Sequence, residues 1–207
     1  MPTLSTRGNS APTSISSNFT GDADALDGSI IVKPNVVFAV GTGATASISN
    51  NGSINFSNCI ELQLCNMFNE NYLHYWISII WSATADQTLF IRYILNDTYI
   101  ESNTYSHQYV LFYQGSAGSA VRATTTGAFT LFSNPVYFSK ASGSINIYGT
   151  QRANAKNARA LSSGVGTAGY LFEYSTTQSG TSKYNGLAIT CNAGQMSGTL
   201  TVHGLAG

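Results

Sequence analysis

The sequence predicts an all-β protein: an antiparallel β-sandwich or jelly roll of about ten short strands behind an extended N-terminal arm. Three observations carry this. Short apolar runs alternate with period two. Gly, Asn, Pro and Ser punctuate them at intervals of roughly 8 to 15 residues. Residues suited to a pleated surface abound, with twelve Tyr and ten Phe among 207 residues. That length fits one sandwich of ordinary size plus an arm, with a core large enough to need no disulfide or metal.

Residues 1–28 are rich in Ser, Thr, Gly, Asn and Ala and hold few large apolar side chains. Such a segment builds no core alone, so it reads either as a disordered tail or as an arm that orders on docking to a neighbour. The sandwich is assigned to residues 29–207. Strands are expected at Ile30 to Val32, Val36 to Val40, Ser53 to Phe56 and Glu61 to Leu64, with Asn51-Gly52 as the strongest hairpin signal. The segment Gly41 to Ala46 superficially resembles a phosphate loop. It lacks the lysine and the helix, so it reads as a connection between strands.

The richest segment runs from Tyr72 to Leu95. Tyr75, Ile77, Ile79 and Trp81 share one face, and Trp76, Ser78 and Ile80 the other. After a polar turn over Ser82 to Gln87, Leu89, Ile91, Tyr93 and Leu95 alternate with Phe90, Arg92 and Ile94. Both faces are largely apolar, the pattern of two antiparallel central strands covered on both sides. Further strands are expected at Gln108 to Tyr113, Phe129 to Phe132, Val136 to Phe138, Ser144 to Tyr148, Tyr170 to Tyr174, Leu187 to Cys191 and Thr199 to His203. Only Gln151 to Leu161 is compatible with a helix. It carries the one basic cluster, Arg152, Lys156 and Arg159, and reads as a solvated helix or loop. Ser142 to Gly149 also echoes Ser197 to Gly204 position for position in residue type. The echo reflects two equivalent strands or shared strand composition.

Charge is scarce. Charged residues make up 9% of the chain and sum to zero, against roughly 25% in an average domain. A surface so weakly charged suits repetitive assemblies, and equally a Ser/Thr-rich exterior. No concentrated basic footprint supports nucleic-acid binding. The apolar stretch Tyr75 to Trp81 is far too short to span a membrane as a helix, so no membrane insertion is expected. Cys59 and Cys65, six apart in one strand, would sit roughly 20 Å apart, whereas a disulfide needs Cα atoms within about 7 Å. Reduced thiols are therefore expected, which fits assembly in a bacterial cytoplasm. The first residues contain no apolar leader core, so export by the usual route is not expected.

Nothing marks a reaction. The nine acidic residues show no local context for a catalytic pair. Asp22, Asp24 and Asp27 before Gly28 lack the calcium-loop pattern and its terminal Glu. His74, His107 and His203 stand singly, without metal-ligand spacing, and there is no nucleophile elbow. No catalytic residue, metal or cofactor is expected.

Two stretches bear a resemblance. Tyr72, Tyr75, Ile77 and Trp81, followed by Leu89, Arg92, Asn96, Asp97 and Tyr105, resemble a pattern in jelly-roll virion structural proteins of tailed bacteriophages of cyanobacteria and other aquatic bacteria. The end of the chain, Asn185-Gly186-Leu187-Ala188-Ile189 then Gly194 and Ser197 to Leu205, is similar to a common ending of tail-fibre and head-decoration proteins. There His203 replaces the family's Tyr and Asn185 its Asp. The resemblance covers about two-thirds of the chain and transfers no catalytic residue. It implies a location in the virion, a homotrimer, and other capsid or tail proteins as partners. Tyr75, Ile77, Trp81, Leu89, Arg92, Gly198, Val202 and Gly204 form its assembly and core signature. A second expectation is a receptor-binding tip in which Tyr99, Tyr105, Tyr109 and Tyr113 stack on a host-surface glycan; the competing role for those tyrosines is packing.

Overall fold

The structure, a computed structural model, describes residues 29–85, 87–96, 98–99, 105–113, 119–126, 128–134, 140–151, 155–165 and 169–205. Among them are sixteen strands and no helix. The expected arm at 1–28, the Asp22 to Asp27 cluster, Arg152 and the expected strand at Val136 to Phe138 lie outside the described residues.

Eight strands form the frame: β4 (Ile54–Cys59), β5 (Glu61–Cys65), β6 (His74–Ala83), β7 (Gln87–Leu95), β11 (Phe129–Asn134), β12 (Lys140–Tyr148), β15 (Gly186–Cys191) and β16 (Met196–Leu205). Their pairings are nested. β7 pairs with β11, β6 with β12, β5 with β15 and β4 with β16, all antiparallel. Long hairpins rolled in this way give two facing sheets, β4–β16–β6–β12 and β5–β15–β7–β11, the arrangement of a jelly roll.

The remaining strands widen the frame. β13 (Lys156–Val165), β14 (Gly169–Gln178), β9 (Tyr105–Tyr113) and β10 (Ser119–Thr126) extend the first sheet beyond β12. β3 (Thr45–Ile48) pairs with β4, and β1 (Ser29–Ile31) with β16, bringing this sheet to ten strands. β2 (Val36–Val40) and β8 (Thr98–Tyr99) bring the second to six.

The core fills the space between the sheets. Tyr75, Ile77, Ile79 and Trp81 project inward from β6, flanked by Ile145 and Ile147 of β12 and by Leu200 and Val202 of β16. Leu62, Leu64, Leu89, Ile91, Tyr93, Leu187 and Ile189 face them from the smaller sheet. Each such side chain contributes about 1.5–3 kcal/mol when fully buried. Tyr75 is tied down at its tip as well: its hydroxyl donates to the Asn69 carbonyl at 3.1 Å and accepts from the Asn69 amide at 2.7 Å.

The signature residues find physical roles here. Tyr75, Ile77, Trp81, Leu89 and Val202 are core. Arg92 lies on the outer face of β7, its guanidinium donating to Thr190 Oγ1 at 3.2 Å. Gly204 lies under the Tyr72 ring, where a Cβ would meet ring carbons at 2.6 Å.

Several expectations are corrected. The run from Gln151 to Leu161 is not helical where it is described: Lys156 onward is β13, hydrogen-bonded on both sides. Nor is its basic cluster uniformly solvated, since Lys156 is buried with Nζ 4.9 Å from the Tyr184 ring centre. Thr45 and Ala46 belong to β3 rather than to a loop. The two apolar strands after Tyr72 do not pair with each other, because the turn between them carries the chain from one sheet to the other. Finally, the second face of β6 is left open by the described chain: Trp76 and Ile80 remain exposed.

Cys59, Cys65 and Cys191 form no disulfide with one another, Cys59 and Cys65 being buried and Cys191 half-buried. The Asn51-Gly52 signal does close a hairpin, between β3 and β4. The Gly52 amide donates to the Ser49 carbonyl at 3.0 Å, and Gly52 adopts φ +84°, a conformation that glycine takes at little cost.

Candidate functional site

The open face of the ten-stranded sheet is the most distinctive surface. Cross-strand register fixes its layout. One row reads Phe112, Leu171, Ser163, Ser142, Ile80, Thr199 across six strands, a width of about 24 Å. The next row includes Leu161, Ser144 and Ser78. Phe112, Leu171, Leu161 and Ile80 are each between 41% and 48% exposed, so these apolar groups are not buried by the described residues.

Two open depressions of about 330 and 310 Å³ flank Ile80. One runs along Ser197, Gly198 and Thr199, the other along Ser142, Gly143 and Ser144. Both use the small residues of the echoed sequence. The echo has a structural meaning: β12 and β16 are the two neighbours of β6, so the two copies flank the same strand, displaced from each other by two residues.

Farther along β6 the face becomes aromatic. The register sets Tyr148 opposite His74, with ring centres 4.2 Å apart and nearly parallel. It sets His203 opposite Trp76, with centres 5.1 Å apart. His74 Nε2 lies 3.1 Å from Asn146 Oδ1, locking the ring to its neighbour strand. Trp76 and Tyr148 remain 40% and 45% exposed. Beyond them Thr177 donates to Asn157 Oδ1 at 3.0 Å, and Arg159 is ion-paired with Glu173.

Of the four tyrosines singled out from sequence for glycan contact, neither Tyr105 nor Tyr109 joins this cluster. Tyr105 is buried, and its hydroxyl accepts the Tyr93 amide at 2.9 Å; a core ring cannot stack on a sugar in solvent. Tyr109 is half-buried, 4.9 Å from Tyr174 between ring centres. The side chains of Tyr99 and Tyr113 lie outside the described residues. His74, Trp76, Tyr148 and His203 were not proposed. The echo was the available signal, since it aligns Tyr148 with His203.

The carboxylates described here do not converge. Glu70 pairs with Lys183 at 2.6 Å, which holds it below the usual carboxylate value. Glu61 accepts from Gln63 and Glu173 from Arg159. Among the described residues no three potential metal ligands cluster.

Burial pushes His107 and His203 below the ordinary imidazole value of 6.5. As pH falls through that value the unfolded chain takes up protons before the native one does. Their contribution to stability is therefore complete above 6.5 and is lost as pH falls through the native values. Thermal melts at about pH 7.5 and 5.5 are expected to differ by roughly 2–4 °C, the acid sample melting lower. The double substitution His107→Gln and His203→Gln should flatten that difference.

No family model matches the sequence, and no curated protein matches it. Among solved structures, CBM35 from Paenibacillus barcinonensis is 13% identical over 77% of this chain and 99% of its own, with a TM-score of 0.14. A superposition of that extent carries no inference about fold or ligand.

Proposed function

We propose that this chain is a structural module of a tailed-bacteriophage particle, docked on capsid or tail through residues 1–28 and assembled as a homotrimer through the apolar half of its large sheet. The observation that carries this reading is the band of Phe112, Leu171, Leu161 and Ile80, exposed on a nearly uncharged face. Exposed apolar patches of this kind mark interaction surfaces. A second copy of the chain suits it, because the charges on this face are few. Arg159 is matched by Glu173 on the adjacent strand, so two such faces approach without like-charge repulsion. The sequence resemblance points the same way.

Sedimentation velocity over a range of concentrations tests the assembly. Wild-type protein is expected to form trimers, and the pair Ile80→Lys and Leu161→Lys to weaken association roughly a hundredfold with unchanged circular dichroism. Binding to particles stripped of this protein, lost when residues 1–28 are deleted, tests the docking. A chain that stays monomeric and ignores such particles would sink the proposal.

A second reading, a receptor-binding tip that recognises host-surface glycan, is favoured by the exposed rings of Trp76 and Tyr148 at the other end of the same face.

A further inference from the structure

We infer that the cross-strand cluster of Trp76, Tyr148, His74, His203 and Asn146 is a binding platform for a neutral saccharide, an assignment that rests on the receptor-binding reading above. A pyranose has a patch of C–H groups on its ring face and hydroxyls around its rim. A site for it needs exposed aromatic rings beside uncommitted donors and acceptors. Trp76 and Tyr148 supply the rings, each about two-fifths exposed in a chain that buries most of its large side chains.

Their neighbours hold them in place. His74 lies flat against Tyr148 and is itself fastened to Asn146, and His203 leans on Trp76. All five residues stand on β12, β6 and β16, the central strands of the large sheet. A platform on paired strands is pre-organised, so a ligand does not have to order it. The Trp76 indole N–H and the Tyr148 hydroxyl make no hydrogen bond within the described chain and are free for sugar hydroxyls.

Charge selects the class of sugar. Arg159, which the register sets opposite Asn146, is matched by Glu173. Lys140 lies at the far end of β12 from Tyr148, about 26 Å away. Among the described residues no unpaired lysine or arginine stands beside the rings, so the platform favours a neutral over an acidic glycan. The platform is also separated from the apolar band: Trp76 stands four residues from Ile80 along β6, about 13 Å. Trimer contacts at that band leave the rings accessible.

The test uses the full chain, fluorescently labelled, on an immobilised array of neutral, N-acetylated and acidic oligosaccharides. Wild-type protein is expected to retain neutral glycans, with Trp76→Ala and Tyr148→Ala each weakening binding at least about tenfold and Trp76→Phe recovering part of it. Titration with the strongest neutral binder should change tryptophan emission. The signal reports Trp76, because the other tryptophan, Trp81, is buried. Thermal melts confirm that each variant folds.

Glycan binding that survives both alanine variants would overturn this site while leaving the receptor-binding reading intact. Failure of the wild type to bind any glycan on the array or intact host cells would remove both. Binding restricted to acidic glycans and abolished by salt would overturn the neutral class. Conversion of the wild-type oligomer to monomers by Trp76→Ala would assign the rings to a subunit contact instead.

Discussion

Replacing Gly198 by alanine is expected to destabilise the fold severely. Gly198 lies opposite Trp81, where β16 runs between β4 and β6. A Cβ there would sit 2.1 Å from the Ile80 carbonyl oxygen and 2.8 Å from the Trp81 Cα. Both are backbone atoms of the central strand, so no side-chain rotation relieves the clash. β16 must separate from β6, opening the ladder in the middle of the large sheet. The cost is about 3 kcal/mol or more, a large part of the roughly 5–15 kcal/mol that holds a typical domain folded. Gly43→Ala is the control. Gly43 adopts a positive φ, +70°, which Gly198 does not, but a Cβ there meets nothing within 4 Å, so the expected loss is only about 1 kcal/mol. Urea titrations followed by circular dichroism would compare the two. Equal losses would mean that the two strands can part cheaply.

Alkaline unfolding should be abrupt. Tyr72, Tyr75, Tyr93, Tyr105, Tyr174 and Tyr184 are all pushed upward, chiefly by burial, with Tyr72 at about 12. In each, the native state keeps its proton after the unfolded chain has released it. Stability is therefore full below the ordinary tyrosine value of 10.0 and is withdrawn as pH rises through it. Six such groups acting together withdraw stability on the scale of a whole domain, about 5–15 kcal/mol. The midpoint is expected roughly one to two pH units above 10. The part of the phenolate absorbance contributed by these six, of twelve tyrosines in all, should lag and then rise together with the loss of circular dichroism. A gradual titration with the fold intact would contradict this. Tyr174→Phe, which removes a buried hydroxyl that has no hydrogen-bond partner among the described residues, should raise the midpoint without harming stability at neutral pH.

The frame strands were legible because their inner faces alternate cleanly. Tyr75, Ile77, Ile79 and Trp81 announce β6, and the echoed sequences mark its two neighbours. β13 was not legible. Lys156 to Leu161 is built, apart from Asn157, from Lys, Ala, Arg and Leu, good helix formers, and pairing on both sides overrides that preference. Nor could alternation tell that β6 keeps its outer face open. Trp76 and Ile80 read as buried because apolar residues on both faces usually mean two covered faces. The ring cluster was hidden for another reason. Stacking of Trp76 with His203 and of His74 with Tyr148 depends on register between distant segments, and sequence alone did not state which strands meet. Residue type alone points to Tyr105 and Tyr109 as readily, yet Tyr105 is packed in the core and Tyr109 lies half-buried against Tyr174.

The nested pairing of the frame sets the timing of folding. β7 and β11 form its innermost pair, while β4 waits for β16 and β1 pairs with residues up to Leu205. On the ribosome, the early strands emerge long before their partners exist. β3 and β4 can close a hairpin, but no strand joins that hairpin to β6 until β16 has been made. Contacts this distant in sequence slow folding, and the waiting chain leaves Ile54, Phe56, Leu62 and Leu64, all core residues of the finished fold, uncovered beside unpaired edges. Nascent chains are thus the stage most vulnerable to aggregation, and slower synthesis lengthens that exposure rather than relieving it.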